Sequence, residues 1–149
     1  MSRVFIEVGS NIEPEKNVRN ALKLLSRQFP VVRISTFYRT PAEGRPEQPP
    51  FVNGVVEIET DVPPADLKKC LLLTEGMLGR IRTGDKFASR TIDLDIVTDE
   101  DMRRPFVAIP LHELAPDLVP ETAEAAEMEP LPEFTEELRK EVKHGLRKD

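Results

Sequence analysis

Residues 90–97 read RTIDLDIV. Apolar and β-branched residues dominate this run as they do in strands, yet Asp93 and Asp95 stand inside it. Side chains alternate across a strand, so Thr91, Asp93 and Asp95 share one face and Ile92, Leu94 and Ile96 the other. The apolar row is the one to pack against helices, which leaves both acids on an open face with Cβ atoms about 7 Å apart. Like charges that close repel. A divalent cation relieves the repulsion, and Mg²⁺ is typically held by one or two carboxylates plus phosphate oxygens and water. The competing reading is a solvated strand face whose acids pair with neighbouring arginines, and D-x-D alone does not choose between the two.

Working outward, RVFIEVG (3–9) alternates Val4, Ile6 and Val8 with Phe5 and Glu7 and reads as a strand ending at Gly9. Val18, Ala21, Leu22, Leu25 and Phe29 recur at helical spacing between Pro14 and Pro30. Residues 31–38 and 52–60 read as two strands. Between them lies RTPAEGRPEQPP (39–50), whose prolines and glycine exclude regular structure and whose length marks a functional or disordered loop. A second helix begins near VPPADL (62–67), capped by Asp61 or a neighbour, with Leu67, Leu71, Thr74 and Leu78 on one stripe before Gly79. RIRTGDKFAS (80–89) then leads into the aspartate strand. The order βαββαβ predicts an α+β, ferredoxin-like unit, an antiparallel sheet with its helices on one face and a site on the other. That domain spans 1–116. Residues 117–149 read as a peripheral, acidic, Pro-interrupted tail able to end in a polar terminal helix.

Composition narrows the ligands. At 149 residues, 39% hydrophobic and 32% charged, the chain has the size of one domain with a real core. A net charge of -6 argues against nucleic acid or an anionic membrane as partner, so an anionic ligand must be held locally. The local means are present: residues 80–90 carry Arg80, Arg82, Lys86 and Arg90 against only Asp85. Guanidinium forks match phosphate oxygens. Two acids for a metal beside four cations read as a polyphosphate site, and positioning plus charge neutralisation is most of what phosphoryl-type transfer asks of a protein. Cys70 is the only cysteine, no apolar h-region opens the chain and no apolar run reaches membrane-spanning length. The expectation is a soluble, cytoplasmic protein.

GSN (9–11), FYRTPAEG with QPPFVN (37–53), EGMLGRIR (75–82), RTIDLDI (90–96) and PFVAIPLHELAPD (105–117) together resemble the successive blocks of the 6-hydroxymethyl-7,8-dihydropterin pyrophosphokinase family, ATP-dependent enzymes of folate synthesis. The resemblance implies a ferredoxin-like fold and transfer of pyrophosphate from ATP to the pterin hydroxymethyl group, giving AMP. It implies that Asp93 and Asp95 bind a pair of Mg²⁺ ions and that Arg80, Arg82 and Arg90 orient and neutralise the triphosphate. Lys86 and Arg104 join them at the nucleotide, with Glu75 near its sugar. For the pterin it implies Thr40, Pro41 and Asn53 as polar contacts and Phe51, Phe87 and Phe106 as stacking walls. Phe87 stands where the family has Trp, and only TDEDMRRP (98–105) separates the aspartate strand from PFVAIPL, where the family has a further strand and a Pro-His element. The resemblance therefore implies a shortened nucleotide site, and both neighbouring loops are expected to order when ligands bind. A non-catalytic pterin-binding or regulatory relative is the alternative. An RNA-binding module would need stacking aromatics on a basic sheet face, where RVFIEVG and TIDLDIV place acids.

Overall fold

The computed structural model describes residues 2–42, 47–80, 91–122 and 127–146, with side chains to 142. Arg82, Lys86, Phe87 and Arg90 lie outside the described residues, as do residues 43–46 of the first loop, so the expected ordering of the two loops does as well.

Strand β1 (Ser2–Ser10) runs up the middle of an open antiparallel sheet. Helix α1 (Pro14–Gln28) follows, with Pro14 at its start and Val18, Ala21, Leu22 and Leu25 on its buried stripe. The segment expected as one strand is two, β2 (Val31–Ile34) and β3 (Tyr38–Thr40), both paired with the long β4 (Phe51–Thr60). Side chains hold the break between them: Ser35 Oγ accepts the Val55 N–H at 2.9 Å and Thr135 Oγ1 accepts the Phe37 N–H at 2.9 Å. Phe37 thereby turns fully into the core over Gly54, where an added Cβ would meet its ring at 2.8 Å. Helix α2 (Pro64–Met77) starts after Pro63 without a side-chain cap, so the expected cap at Asp61 does not form; the prolines themselves preset the first turn. Strand β5 (Asp93–Ile96) pairs antiparallel with β1, and β6 (Glu129–Pro130) adds to β3. The strand order among the described residues is β5-β1-β4-β3-β6, with β2 beside β3 on the same edge of β4.

Two expectations need correction. Helices were expected on one face only. Instead α3 (Pro105–Leu114) lies on the other face, because Val107, Ala108, Leu111 and Leu114 form an apolar stripe that buries Phe5 and Val55. The C-terminal segment was read as peripheral. Its helix α4 (Pro132–Leu146) is part of the main core: Phe134, Leu138 and Val142 pack with Leu22, Leu25 and Ile34, and Phe134 meets Phe37 edge to face at 6.1 Å. Each such buried side chain contributes about 1.5–3 kcal/mol. Charge fixes the seam as well, since Arg19 on α1 reaches Glu137 at 2.7 Å and Glu141 at 3.1 Å. Among the described residues no helix is long and apolar enough to cross a membrane.

Candidate active site

α3 covers only part of its face. Beyond it, the antiparallel register lays out two parallel rows of side chains. One row runs Tyr38, Asn53, Gly9, Asp93; the next runs Val55, Glu7, Asp95. The aspartates therefore share a face, as alternation required, while Leu94 packs with Ile6 and Val8 behind them. Neighbouring strands lie about 4.8 Å apart, so Asn53 and Asp93, two strands removed, are about 10 Å from one another.

Arg80 reaches the acids from the end of α2. Its Nη1 donates to Asp93 Oδ1 at 2.8 Å and to Glu75 Oε2 at 2.7 Å. The same Glu75 oxygen accepts the Leu94 N–H at 2.8 Å. Glu75 was expected beside the nucleotide sugar; its side chain is instead turned inward, 2% exposed, because burial demands partners for a carboxylate and Arg80 and the β5 backbone supply them. It locks the end of α2, Arg80 and the aspartate strand into one unit.

Asp95 stands exposed. Even so, desolvation, then the charge of Asp93 and its hydrogen bond, push its carboxyl up to about 7, with Arg80 opposing. Glu7, which sequence reasoning did not single out, faces Asp95 directly across the strand pair. Burial raises its carboxyl to about 7 as well, against the pull of Arg104 and with the push of Asp93 and Asp95. Three acids crowded so that two resist ionisation at neutral pH favour an added cation. Among the described residues no group of three or more His, Cys, Asp or Glu side chains has metal-holding geometry. The Asp93–Asp95 pair thus fits Mg²⁺ that completes its shell with phosphate oxygens and water rather than an all-protein cage.

At the other end of the rows, Asn53 Nδ2 donates to Thr40 Oγ1 at 3.0 Å. Its Oδ1 is buried with no hydrogen-bond partner among the described residues. An orphaned amide oxygen is costly to bury, and a ligand donor answers it. Phe51, half-buried, sits beside Thr40 in register. Gly9 leaves room between them: a Cβ there would stand 3.3 Å from the Asn53 Cβ and 3.8 Å from the Phe51 ring. Pro41 continues from Thr40 and is exposed. Asn11 ties the loop down by donating to Gln48 Oε1 and the Pro49 carbonyl, both at 3.3 Å, so the GSN and QPPFVN blocks meet in space. Arg104 and Phe106 arrive from the start of α3, Arg104 on Glu7 and Phe106 half-buried. The structure gathers Arg80, Asp93 and Asp95 at one end of the face and Thr40, Phe51 and Asn53 at the other. A separate cavity of about 540 Å³ lies at the β2 edge beside Val31, Ile34, Leu114 and Val142, and none of the expected site residues lines it.

The model of the 7,8-dihydro-6-hydroxymethylpterin-pyrophosphokinase family matches residues 5–116, which include Thr40, Asn53, Arg80, Asp93, Asp95 and Arg104. The chain belongs to this family. Similar proteins named 2-amino-4-hydroxy-6-hydroxymethyldihydropteridine pyrophosphokinase include that of Synechocystis sp., 36% identical over 76% of this chain and 67% of the relative. That of Pseudomonas aeruginosa is 34% identical over 79% and 83%, and that of Haemophilus influenzae 35% identical over 80% and 85%. As a family member the chain is a pyrophosphokinase, a transferase of folate synthesis that takes ATP as co-substrate.

Proposed function

We propose that this chain transfers pyrophosphate from ATP to 6-hydroxymethyl-7,8-dihydropterin across the face between Asn53 and Asp93, with Asp93 and Asp95 holding a pair of Mg²⁺ ions. The observation that carries the reading is the two-ended face. An orphaned amide oxygen stands at one end, suited to a heterocycle edge that offers donors. A carboxylate pair stands at the other, with burial and the neighbouring Asp93 raising the Asp95 carboxyl to about 7, suited to a metal. Their strands stand about 10 Å apart, which leaves room for a small heterocycle and a phosphate between the two ends.

Bound Mg²⁺ supplies charge neutralisation at the nucleotide phosphates. The chain's own residues do the rest. Asn53 and Thr40 orient the pterin edge, while Phe51, Phe106 and Phe87 wall its faces and Pro41 shapes the loop. Arg80, fixed by Glu75 and Asp93, sets a guanidinium beside the phosphates; Arg82, Arg90 and Lys86 add cations, and Arg104 approaches from α3. So aligned, the hydroxymethyl oxygen attacks the β-phosphorus and gives up its proton to solvent, the bond from that phosphorus to the α–β bridging oxygen breaks, and AMP leaves with that oxygen. Positioning and electrostatics suffice, and no histidine base is invoked. The unit responsible is the ferredoxin-like segment 1–116 together with α4, which packs into its core, working in the cytoplasm. The short 98–105 connection makes the adenosine wall smaller than in the resembled pattern.

The test incubates protein, Mg²⁺, ATP and the reduced hydroxymethylpterin and looks for AMP together with the pterin diphosphate. Asp93→Ala and Asp95→Ala should each abolish turnover while circular dichroism stays unchanged. Pterin binding without AMP formation in the wild type would replace this reading with that of a non-catalytic pterin-binding relative.

A further inference from the structure

We propose that Glu7 is a positioning residue for the nucleotide phosphates and acts by holding Arg104; the proposal rests on the active-site reading above. Glu7 occupies the centre of the sheet, with Val55 as its partner on one side and Asp95 on the other. Directly opposed residues have Cβ atoms about 4.5–5.5 Å apart, and like charges there destabilise the sheet. The side chain is 15% exposed. An aliphatic residue would continue the apolar row of Phe5 and Val55 beneath α3, so neither packing nor pairing explains a carboxylate. A local rule broken at the centre of a sheet points to function.

Its partner identifies the role. Arg104 Nη2 stands 3.3 Å from Glu7 Oε1, and Arg104 Nη1 stands 3.4 Å from Asp101 Oδ1. Arg104 side-chain exposure is 50%, and a guanidinium carries five N–H donors. Another acid on this face of the sheet behaves differently. Glu57, 4% exposed, takes Arg33 Nη2 at 2.7 Å and Arg33 Nε at 2.8 Å on one oxygen and stands 3.5 Å from Arg3 Nε through the other, so both of its oxygens are held structurally. The Glu7–Arg104 contact is longer and single, so it aims the guanidinium without consuming it. The sequence of charges across the face is Asp93 and Asp95 on β5, Glu7 on β1, Arg104 at the head of α3. Phosphates drawn to the aspartate end of the face come to lie beside Glu7, and among the described residues the guanidinium that Glu7 holds is the cation placed to offset that neighbour. Without Glu7, Arg104 keeps among the described residues only Asp101 as a side-chain tether, which does not hold it over the sheet.

The experiment measures kcat, the KM for MgATP, the KM for the pterin and the Mg²⁺ half-saturation for the full-length wild type, Glu7→Gln, Arg104→Met and the double variant. Glu7→Gln is isosteric, and thermal unfolding checks that it folds. Loss of one charge-assisted contact should raise the KM for MgATP about tenfold, with the pterin KM, kcat and Mg²⁺ half-saturation within about twofold of wild type. Arg104→Met should do the same, and the double variant should be no worse than either single one. Multiplying effects, an unchanged nucleotide KM in Glu7→Gln, or a shift confined to Mg²⁺ half-saturation would overturn the proposal. A wild type that forms no AMP would overturn the active-site reading and this one with it, and is distinguishable because it needs no variant.

Discussion

Asp95→Asn should abolish turnover and at the same time stabilise the metal-free protein. In the fold the Asp95 carboxyl ionises near 7 instead of 3.8, chiefly through desolvation and then through Asp93. A raised carboxyl pKa means that the folded chain holds a proton which the unfolded chain has already released between those limits. Stability therefore falls as pH climbs from about 4 to about 7, and the penalty is complete above 7. Unscreened, the difference would be about 4 kcal/mol. Because Asp95 stands exposed, solvent screening reduces it to about 1 kcal/mol. For a chain of this size that is about 2–4 °C in Tm. Thermal unfolding in EDTA at pH 8 should accordingly place Asp95→Asn above wild type by about that margin, and the gap should close at pH 4. Adding Mg²⁺ with a non-hydrolysable ATP analogue should reverse the order, because only the wild type gains a ligand that binds the native state. If Asp95→Asn were the less stable protein at pH 8 in EDTA, the acids would be stabilising each other through structure, and the argument for a cation at this site would fail.

Three other outcomes follow from the packing and the charges. Leu138→Ala should cost about 2–5 kcal/mol in denaturant unfolding, since Leu138 is 1% exposed in the main core; a loss under about 0.5 kcal/mol would return α4 to the status of a peripheral tail. Gly54→Ala should cost about 1–3 kcal/mol, because its Cβ would press the buried Phe37 ring at 2.8–2.9 Å, and it should raise the pterin KM by displacing the neighbouring Asn53; equal stability and KM would show that Phe37 yields freely. With a short adenosine wall, nucleotide affinity should rest mainly on phosphate charge, so titrations at two ionic strengths should show ATP and GTP binding alike and both weakening with salt; tight, salt-insensitive, ATP-selective binding would show that another element completes the wall.

Much of this was legible in the sequence, and the limits have physical causes. Strand alternation put Asp93 and Asp95 on one face before any coordinates, because a period of two leaves no freedom once Leu94 is assigned to the core. Arg80 was legible as one of four cations, with Arg82, Lys86 and Arg90, crowded into residues 80–90 of an otherwise acidic chain. Glu7 was not. It shares its alternation class with Phe5, and only the register of β1 against β5, a long-range pairing that no local pattern encodes, brings it opposite Asp95. Glu75 was placed near the nucleotide sugar by the family resemblance alone; the β5 backbone N–H that its side chain accepts comes 19 residues later. α4 misled for the opposite reason. Its acidic, Pro-flanked surroundings outweigh a sparse stripe of Phe134, Leu138 and Val142, yet three apolar residues at spacing four form a sufficient face once a complementary groove exists, and the groove is made by Phe37 turning inward over Gly54. That turn links stability to the site. Phe37 can be buried because residue 54 has no side chain, and the next residue back along β4 is Asn53, whose amide oxygen stays unpaired on the opposite face. Helix α4 thus braces, through Phe134, Phe37 and Gly54, the backbone that carries Asn53, so that under the proposed function the C-terminal segment would help to position the pterin.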